Sequence, residues 1–273
     1  MSWHTKPQCA FDLESTGIDV ETERVVTACV AVIKPTPVPP WDIDIRSHLI
    51  DPGIDIPEGA TAVHGITTAY AKEHGQPPAE TLDVVAGDLA LAMRSGMPVV
   101  GMNLAYDFTL LDRELRRYGL AALPERLGRA IGPVIDVYVI DKAIDPFRRG
   151  SRKLVNLCEH YGVRIDGAHD STFDALASAR IAFRIAQRAH MEPDALARLY
   201  ADRRKPQEIV RAFAALRRLT LAELHDRQKV WRREQQESLA DYLRGQGKDA
   251  SDVDGSWPMR PWREPAVAGE VRP

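Results

Sequence analysis

Cysteine is scarce, and long apolar runs are missing. The 273 residues hold 3 cysteines, Cys9, Cys29 and Cys158, widely spaced and with no Cys-x-x-Cys pair. That argues against a disulfide scaffold or a thiolate zinc site and leaves three free thiols, suited to a reducing cytoplasm. No window approaches the roughly 18 consecutive apolar residues of a transmembrane helix, so no membrane partner is expected. The opening Met1-Ser2-Trp3-His4-Thr5-Lys6 lacks a signal-peptide core, which again points to a cytoplasmic protein. No internal repeat stands out. What is present, 44% hydrophobic and 27% charged residues, is ordinary globular composition and not that of a disordered chain.

A formal net charge of -3 is also small, but it conceals a segregation. Residues 1–190 carry 20 Lys/Arg against 25 Asp/Glu, whereas 198–233 carry 11 against 4. An acidic front is followed by a basic arm, a footprint compatible with nucleic acid but equally with a solvated helix face or partner docking.

Hydrophobic periodicity divides the front into alternating elements. Cys9 to Leu13, Val25 to Ile33 and Arg46 to Ile50 read as three strands with short connections, an antiparallel meander; the proline-rich 34–40 can belong to neither strand nor helix. Helices are expected over 81–94, 104–118, 154–161 and 174–189, with further strands over 98–102 and 134–140. This order predicts a mixed five-stranded sheet with helices on its faces. Ile209, Val210, Phe213 and Leu216 mark a helix in the arm. Thr220 and Glu223 form a capping box opening another, along which Leu221, Leu224, Trp231, Leu239 and Leu243 are imperfectly in phase. The chain thus divides into a domain over 1–190, a basic helical extension over 191–244, and a disordered or extended tail over 245–273.

The chemistry lies in acids at strand ends. Asp12 and Glu14, two apart, share one face where a buried strand emerges. Two close carboxylates raise each other's pKa unless a cation intervenes, and oxygen-only clusters suit Mg²⁺ or Mn²⁺. Asp107 sits in the first turn of a helix, and Asn103 just before it. His169 lies in a loop ahead of Asp174, which is followed by an alanine-rich helix. Each has a plain structural reading taken alone: a solvated strand end, a helix cap, a first-turn acid, an idle loop histidine.

Taken in order, FDLESTG (11–17), HGIT (64–67), VVGMNLAYDFTLLDREL (99–115), VIDVYVIDKAI (134–144), KLVNLCEHYGV (153–163) and HDSTFDALASARIA (169–182) resemble the DEDDh branch of 3′–5′ exonucleases, the branch that includes proofreading subunits of bacterial DNA polymerase III. The resemblance covers residues 8–190. It implies a ribonuclease H-like fold, with three antiparallel strands and then two parallel ones, and hydrolysis of phosphodiester bonds from a 3′ end to release 5′-mononucleotides. It implies two divalent ions, Mg²⁺ or Mn²⁺, held by Asp12, Glu14, Asp107 and Asp174, with His169 as general base. Ser15, Thr16, Gly17, His64 and Asn103 would lie against the substrate. DNA is the expected substrate, in proofreading or repair, with a DNA polymerase subunit as partner. RNA 3′ ends, or a non-catalytic accessory module that binds nucleic acid, are the alternatives. Ser15 stands where the family usually has Thr, and Asp170 to Phe173 are more polar than its usual residues. Trp231 is a stacking candidate in the arm.

Overall fold

Small and β-branched residues build the sheet. In the computed structural model of the protein, which describes residues 3–36, 41–164 and 169–263, β1 (Gln8–Ser15), β2 (Val25–Lys34) and β3 (Asp42–Leu49) form the antiparallel meander. β4 (Val99–Gly101) pairs parallel to β1, and β5 (Val134–Asp136) parallel to β4. The order is β3-β2-β1-β4-β5, the expected mixed sheet. β2 is buried along most of its length, whereas β3 is an edge strand and largely exposed. The fragment 37–40 of the proline-rich connection lies outside the described residues.

Between β3 and β4 come α1 (Glu58–His64), α2 (Thr68–His74) and α3 (Pro78–Arg94). α4 (Leu104–Arg117) and α5 (Leu123–Leu127) precede β5, and α6 (Val137–Ile144), α7 (Leu154–Tyr161) and α8 (Ser171–Ala189) follow it. α9 (Pro193–Leu199), α10 (Pro206–Leu216) and α11 (Leu221–Gly245) complete the chain's helices. The two faces of β1 feed two cores. Cys9, Phe11 and Leu13 pack with α3 and α4. Ala10 lies on the other face, with Ala175, Ala179, Ala182 and Ala186 of α8. Small residues on both partners let α8 approach the sheet closely. Period-2 alternation then directs Asp12 and Glu14 to the α8 side. Gly101 is required at the end of β4, because a Cβ there would lie 2.7 Å from the Phe11 carbonyl. All three cysteines are buried and unpaired, and no helix among the described residues is long and apolar enough to cross a membrane.

The fifth strand is shorter than its apolar run. It ends at Asp136, whose carboxylate accepts from the N–H groups of Tyr138 and Val139, so Val137 to Ile144 coils into α6. A cap and tertiary packing override the β propensity of Val137, Tyr138, Val139 and Ile140. α1, α2, α5 and α9 lie in segments with no element expected, and α8 begins at Ser171, three residues ahead of Asp174.

α11 explains its own broken periodicity. Three of its buried residues are polar: His225, Gln228 and Gln235. His225 and Gln228 replace the strand that β5 lacks on its outer edge, and Gln235 continues the contact onto α6. His225 Nδ1 accepts from the Val134 N–H at 3.2 Å. Gln228 Oε1 accepts from the Asp136 N–H at 2.7 Å, and its Nε2 donates to the Val134 carbonyl at 2.9 Å. Gln235 donates to the Val139 carbonyl at 2.9 Å. An otherwise open sheet edge is thereby covered. The Thr220–Glu223 capping box forms as expected. Trp231 is half-buried against both cores, with Arg227 over its ring; its role is packing, not presentation of a free stacking face.

Residues 246–263 form no helix or strand, yet they are docked. Trp257 is buried in the α4-side core, and the ring of Trp262 lies 5.2 and 5.1 Å from the guanidinium carbons of Arg113 and Arg116. Residues 264–273 lie outside the described part of the chain.

Gln228→Leu leaves two buried backbone groups unpaired at β5. At about 1–3 kcal/mol per unsatisfied group, denaturant titration should show a loss of roughly 2–6 kcal/mol; a loss under 1 kcal/mol would contradict the edge-covering role. Burial, reinforced by Lys229, pulls His225 down to about 4, and its Nδ1 must be unprotonated to accept from Val134. Its contribution to stability is present above the unfolded-state value near 6.5 and is lost as pH falls from there toward 4, since only the unfolded imidazole takes up the proton. The slope of unfolding free energy against pH in that window should be shallower in His225→Asn than in wild type, and equal slopes would refute this.

Candidate active site

β1, α4 and α8 bring the acids together. Ligand atoms of Glu14, His169 and Asp174 lie within 4.8 Å of one another. Asp174 occupies the first turn of α8, and Asp170 caps that helix by accepting from the Thr172 N–H at 2.8 Å. His169 has a left-handed backbone, φ 68°, and its N–H donates to Asp174 Oδ2 at 3.3 Å. This turn places the imidazole on the exposed rim beside a buried carboxylate. Gly167 of the same loop lies outside the described residues.

Asp107, in the first turn of α4, is 4% exposed. Its Oδ1 accepts from the Leu13 N–H at 3.1 Å, which fastens it to the strand between Asp12 and Glu14. Burial and then the charges of Asp107, Asp174, Glu14 and Asp170 push Asp12 well above the usual carboxylate range. Burial, with Asp174 and Asp170 nearby, pushes Glu14 up to about 7. Asp174 rises to about 6 through burial, moderated by the His169 N–H and charge. Burial takes Asp107 to about 8 against the pull of backbone hydrogen bonds. A set of carboxylates that resists ionisation lacks counter-charge, and Asp174 Oδ1 is buried with no hydrogen-bond partner. The donor set is carboxylate oxygen with one imidazole, and it fits a hard divalent cation.

The loop after β1 is tied internally. Ser15 Oγ lies 2.7 Å from the Tyr106 hydroxyl and donates to the Gly17 carbonyl at 2.8 Å. Thr16 is buried; its hydroxyl donates to Glu23 and accepts from the Arg24 N–H. A Cβ on Gly17 would lie 2.7 Å from the Glu23 carboxyl carbon. Both hydroxyls, the Gly17 carbonyl and the Thr16 N–H are thus committed within the loop. His64 closes α1. Its Nδ1 accepts from the Ile66 N–H at 3.1 Å; burial lowers its pKa against a hydrogen bond to the Ser15 backbone, and the nearby charge of His169 adds to the lowering. His64 therefore borders the cluster.

Asn103 is not a side-chain cap. It adopts φ 60° and its side chain makes no capping bond. Asp136 does that work, accepting from the Asn103 and Leu104 N–H groups at 2.9 and 3.1 Å. Asp136 also accepts from Trp257 Nε1 at 3.3 Å. It orients the first turn of α4, and so Asp107, and its only local signal is an acid ending an apolar run. Asp170 and Tyr106 are further contributors that motif reading passed over; the acid at 170, four residues ahead of Asp174, could have been read as an N-cap.

A mixed sheet of this order, with acids gathered where β1 and β4 end and a histidine at the entry to the last helix on that face, defines a nuclease of ribonuclease H-like fold. Residues 9–182 match the model of the family described as Exonuclease. The chain belongs to that family, with the ordered motifs of its DEDDh type. It is similar to the PolC-type DNA polymerase III of Lacticaseibacillus paracasei, 27% identical over 179 residues. The PolC-type enzyme of Halalkalibacterium halodurans is 24% identical over 183. Each match covers 66% of this chain but only 11% of the relative. Among solved structures, E. coli exonuclease I in complex with a dT13 oligonucleotide aligns with TM-score 0.55 and 16% identity, over 76% of this chain and 46% of that one. Exonuclease I from Methylocaldum szegediense aligns with TM-score 0.51 and 20% identity, over 77% and 43%.

Asp107→Asn keeps the acceptor for Leu13 and removes a charge. In EDTA at pH 8 it should melt a few degrees above wild type, and the gap should narrow steadily as pH falls toward the unfolded-state value near 4. The raised folded-state pKa means that the anion's cost is full above about 8 and is relieved as pH falls. A pH-independent gap in thermal melts would count against this electrostatic account.

Proposed function

We propose that the protein hydrolyses DNA from the 3′ end and releases 5′-mononucleotides, in proofreading or repair alongside a DNA polymerase. The observation that carries the reading is the convergence of Glu14, His169 and Asp174 within 4.8 Å, beside Asp12 and Asp107, whose pKa values are raised. The PolC-type names of the relatives and the oligonucleotide-bound exonuclease I support DNA as substrate.

Asp12, Glu14, Asp107 and Asp174 would hold the divalent ions, with Asp174 and Glu14 closest to His169. Mg²⁺ or Mn²⁺ bound there supplies charge neutralisation at phosphate and acidifies water. His169, on the open rim, accepts the proton of the attacking water at a ring nitrogen. Water attacks the terminal phosphorus, the bond to the 3′ oxygen of the penultimate sugar breaks, and that oxygen takes a proton. Asp174 accepts from the His169 N–H and so holds the loop that carries the base. The backbone of Ser15 to Gly17, His64 and Asn103 line the place of the terminal nucleotide.

Matched 5′-labelled single-stranded DNA, duplex, mismatched duplex and RNA, incubated with Mg²⁺ or Mn²⁺, should give a ladder from the 3′ end on DNA. EDTA and Asp12→Ala should abolish it, and His169→Ala should slow it by about 10²–10⁴-fold. Digestion that survives Asp12→Ala overturns the mechanism. A ladder on RNA alone reassigns the substrate, and binding without cleavage makes the chain an accessory module.

A further inference from the structure

α8 leads away from the acidic cluster, and its outer face is unlike the rest of the helix. Most of its positions are buried, but Phe173, Arg180, Arg184 and Gln187 are exposed. Spacings of seven, four and three residues align them in one stripe. Phe173, 40% exposed, is the residue immediately before Asp174. At 1.5 Å per residue, Arg180 and Arg184 lie about 9 and 15 Å farther along the axis from Asp174.

The far end of the stripe opens into a groove of about 410 Å³ lined by Trp41, Val163, Arg164, Arg180, Phe183 and Arg184. Trp41 and Phe183 meet edge to face with ring centroids 4.7 Å apart. No acid lines the groove among the described residues. Arg180 donates to the Arg164 carbonyl at 3.4 Å and Arg184 to Gln187 at 3.0 Å; neither pairs with a carboxylate among the described residues. Lys205 and Lys229, by contrast, pair with Glu208 and Asp226. Guanidinium groups beside aromatic faces suit phosphates and unstacked bases.

We infer that this stripe and groove hold the substrate strand upstream of its 3′ end. The occupant is single-stranded nucleic acid: Phe173 offers a stacking face at the mouth of the site, and Arg180 and Arg184 take phosphates. With at least ~3.4 Å per nucleotide, Arg184 is reached within about four nucleotides of the 3′ terminus. The inference rests on the nuclease reading above and adds to it a requirement for strand length.

The test is the double variant Arg180→Glu/Arg184→Glu, both surface positions, assayed on a single-stranded 20-mer and on the p-nitrophenyl ester of a 5′-mononucleotide. KM on the 20-mer should rise at least tenfold with kcat unchanged. The slope of log KM against log salt should fall by about 1.4, two phosphates at ~0.7 each. Turnover of the ester should not change. An unchanged KM and salt slope on the 20-mer, or an equal loss on the ester, overturns the inference. So does competition by poly-glutamate as effective as that by an oligonucleotide of equal charge, since the groove would then be a generic anion site. Failure of the nuclease reading looks different: wild type cleaves neither substrate, while anisotropy still reports a labelled 20-mer bound by wild type and weakly by the double variant.

Discussion

Mutual repulsion among buried carboxylates is the constraint around which this molecule is arranged. Asp12, Glu14, Asp107 and Asp174 come from three separate elements, and each is driven toward its protonated form by burial and by neighbouring acids. Nothing local would gather them. They are held by geometry that the rest of the fold stabilises: strand alternation aims Asp12 and Glu14 to one side, small residues on α8 bring Asp174 near, and the Leu13 N–H anchors Asp107. Sites that bind charge commonly carry such strain, and a cation relieves it.

The scaffold extends beyond the matched exonuclease region. Asp136 ends β5, caps α6 and sets the start of α4. Its own N–H is satisfied by Gln228 of α11, and its carboxylate by Trp257 of the terminal segment. Arg113, on α4, is buried and grips Glu21 in the loop after β1, while donating to the Arg260 and Pro261 carbonyls. Loop, helix and terminal segment are thus clamped by one guanidinium. The extension therefore contributes to the rigidity of the residues that carry the candidate chemistry, whatever else it binds.

The near-neutral net charge fits this division. The acidic front includes the candidate ligands, whose charge divalent ions would offset. The arm's basic residues are dispersed over α9, α10, α11 and their connections, and three of them, Arg203, Lys205 and Lys229, pair with nearby acids. The cationic aromatic groove lies instead on the acidic front, at the end of α8.

Local pattern was enough for much of this. Alternating and helical periodicities placed the five strands and the main helices, because amphipathic faces repeat with the geometry of the element that buries them. The ordered motifs, through their resemblance to the DEDDh branch, marked Asp12, Glu14, Asp107, His169 and Asp174 as one set, with acids at the end of a strand or in the first turn of a helix. Pattern could not determine contacts between residues remote in sequence. Val137 to Ile140 read as strand, and only the capping carboxylate of Asp136 and packing against α8 and α11 made them helix. His225, Gln228 and Gln235 looked like gaps in an amphipathic helix until β5 and the start of α6, some 90 residues away in the chain, supplied the backbone groups they satisfy. Trp257 looked like part of a loose tail, and a partner 121 residues away buried it. Periodicity reports which face of an element avoids water; which buried polar group meets which is settled only when distant segments close on each other.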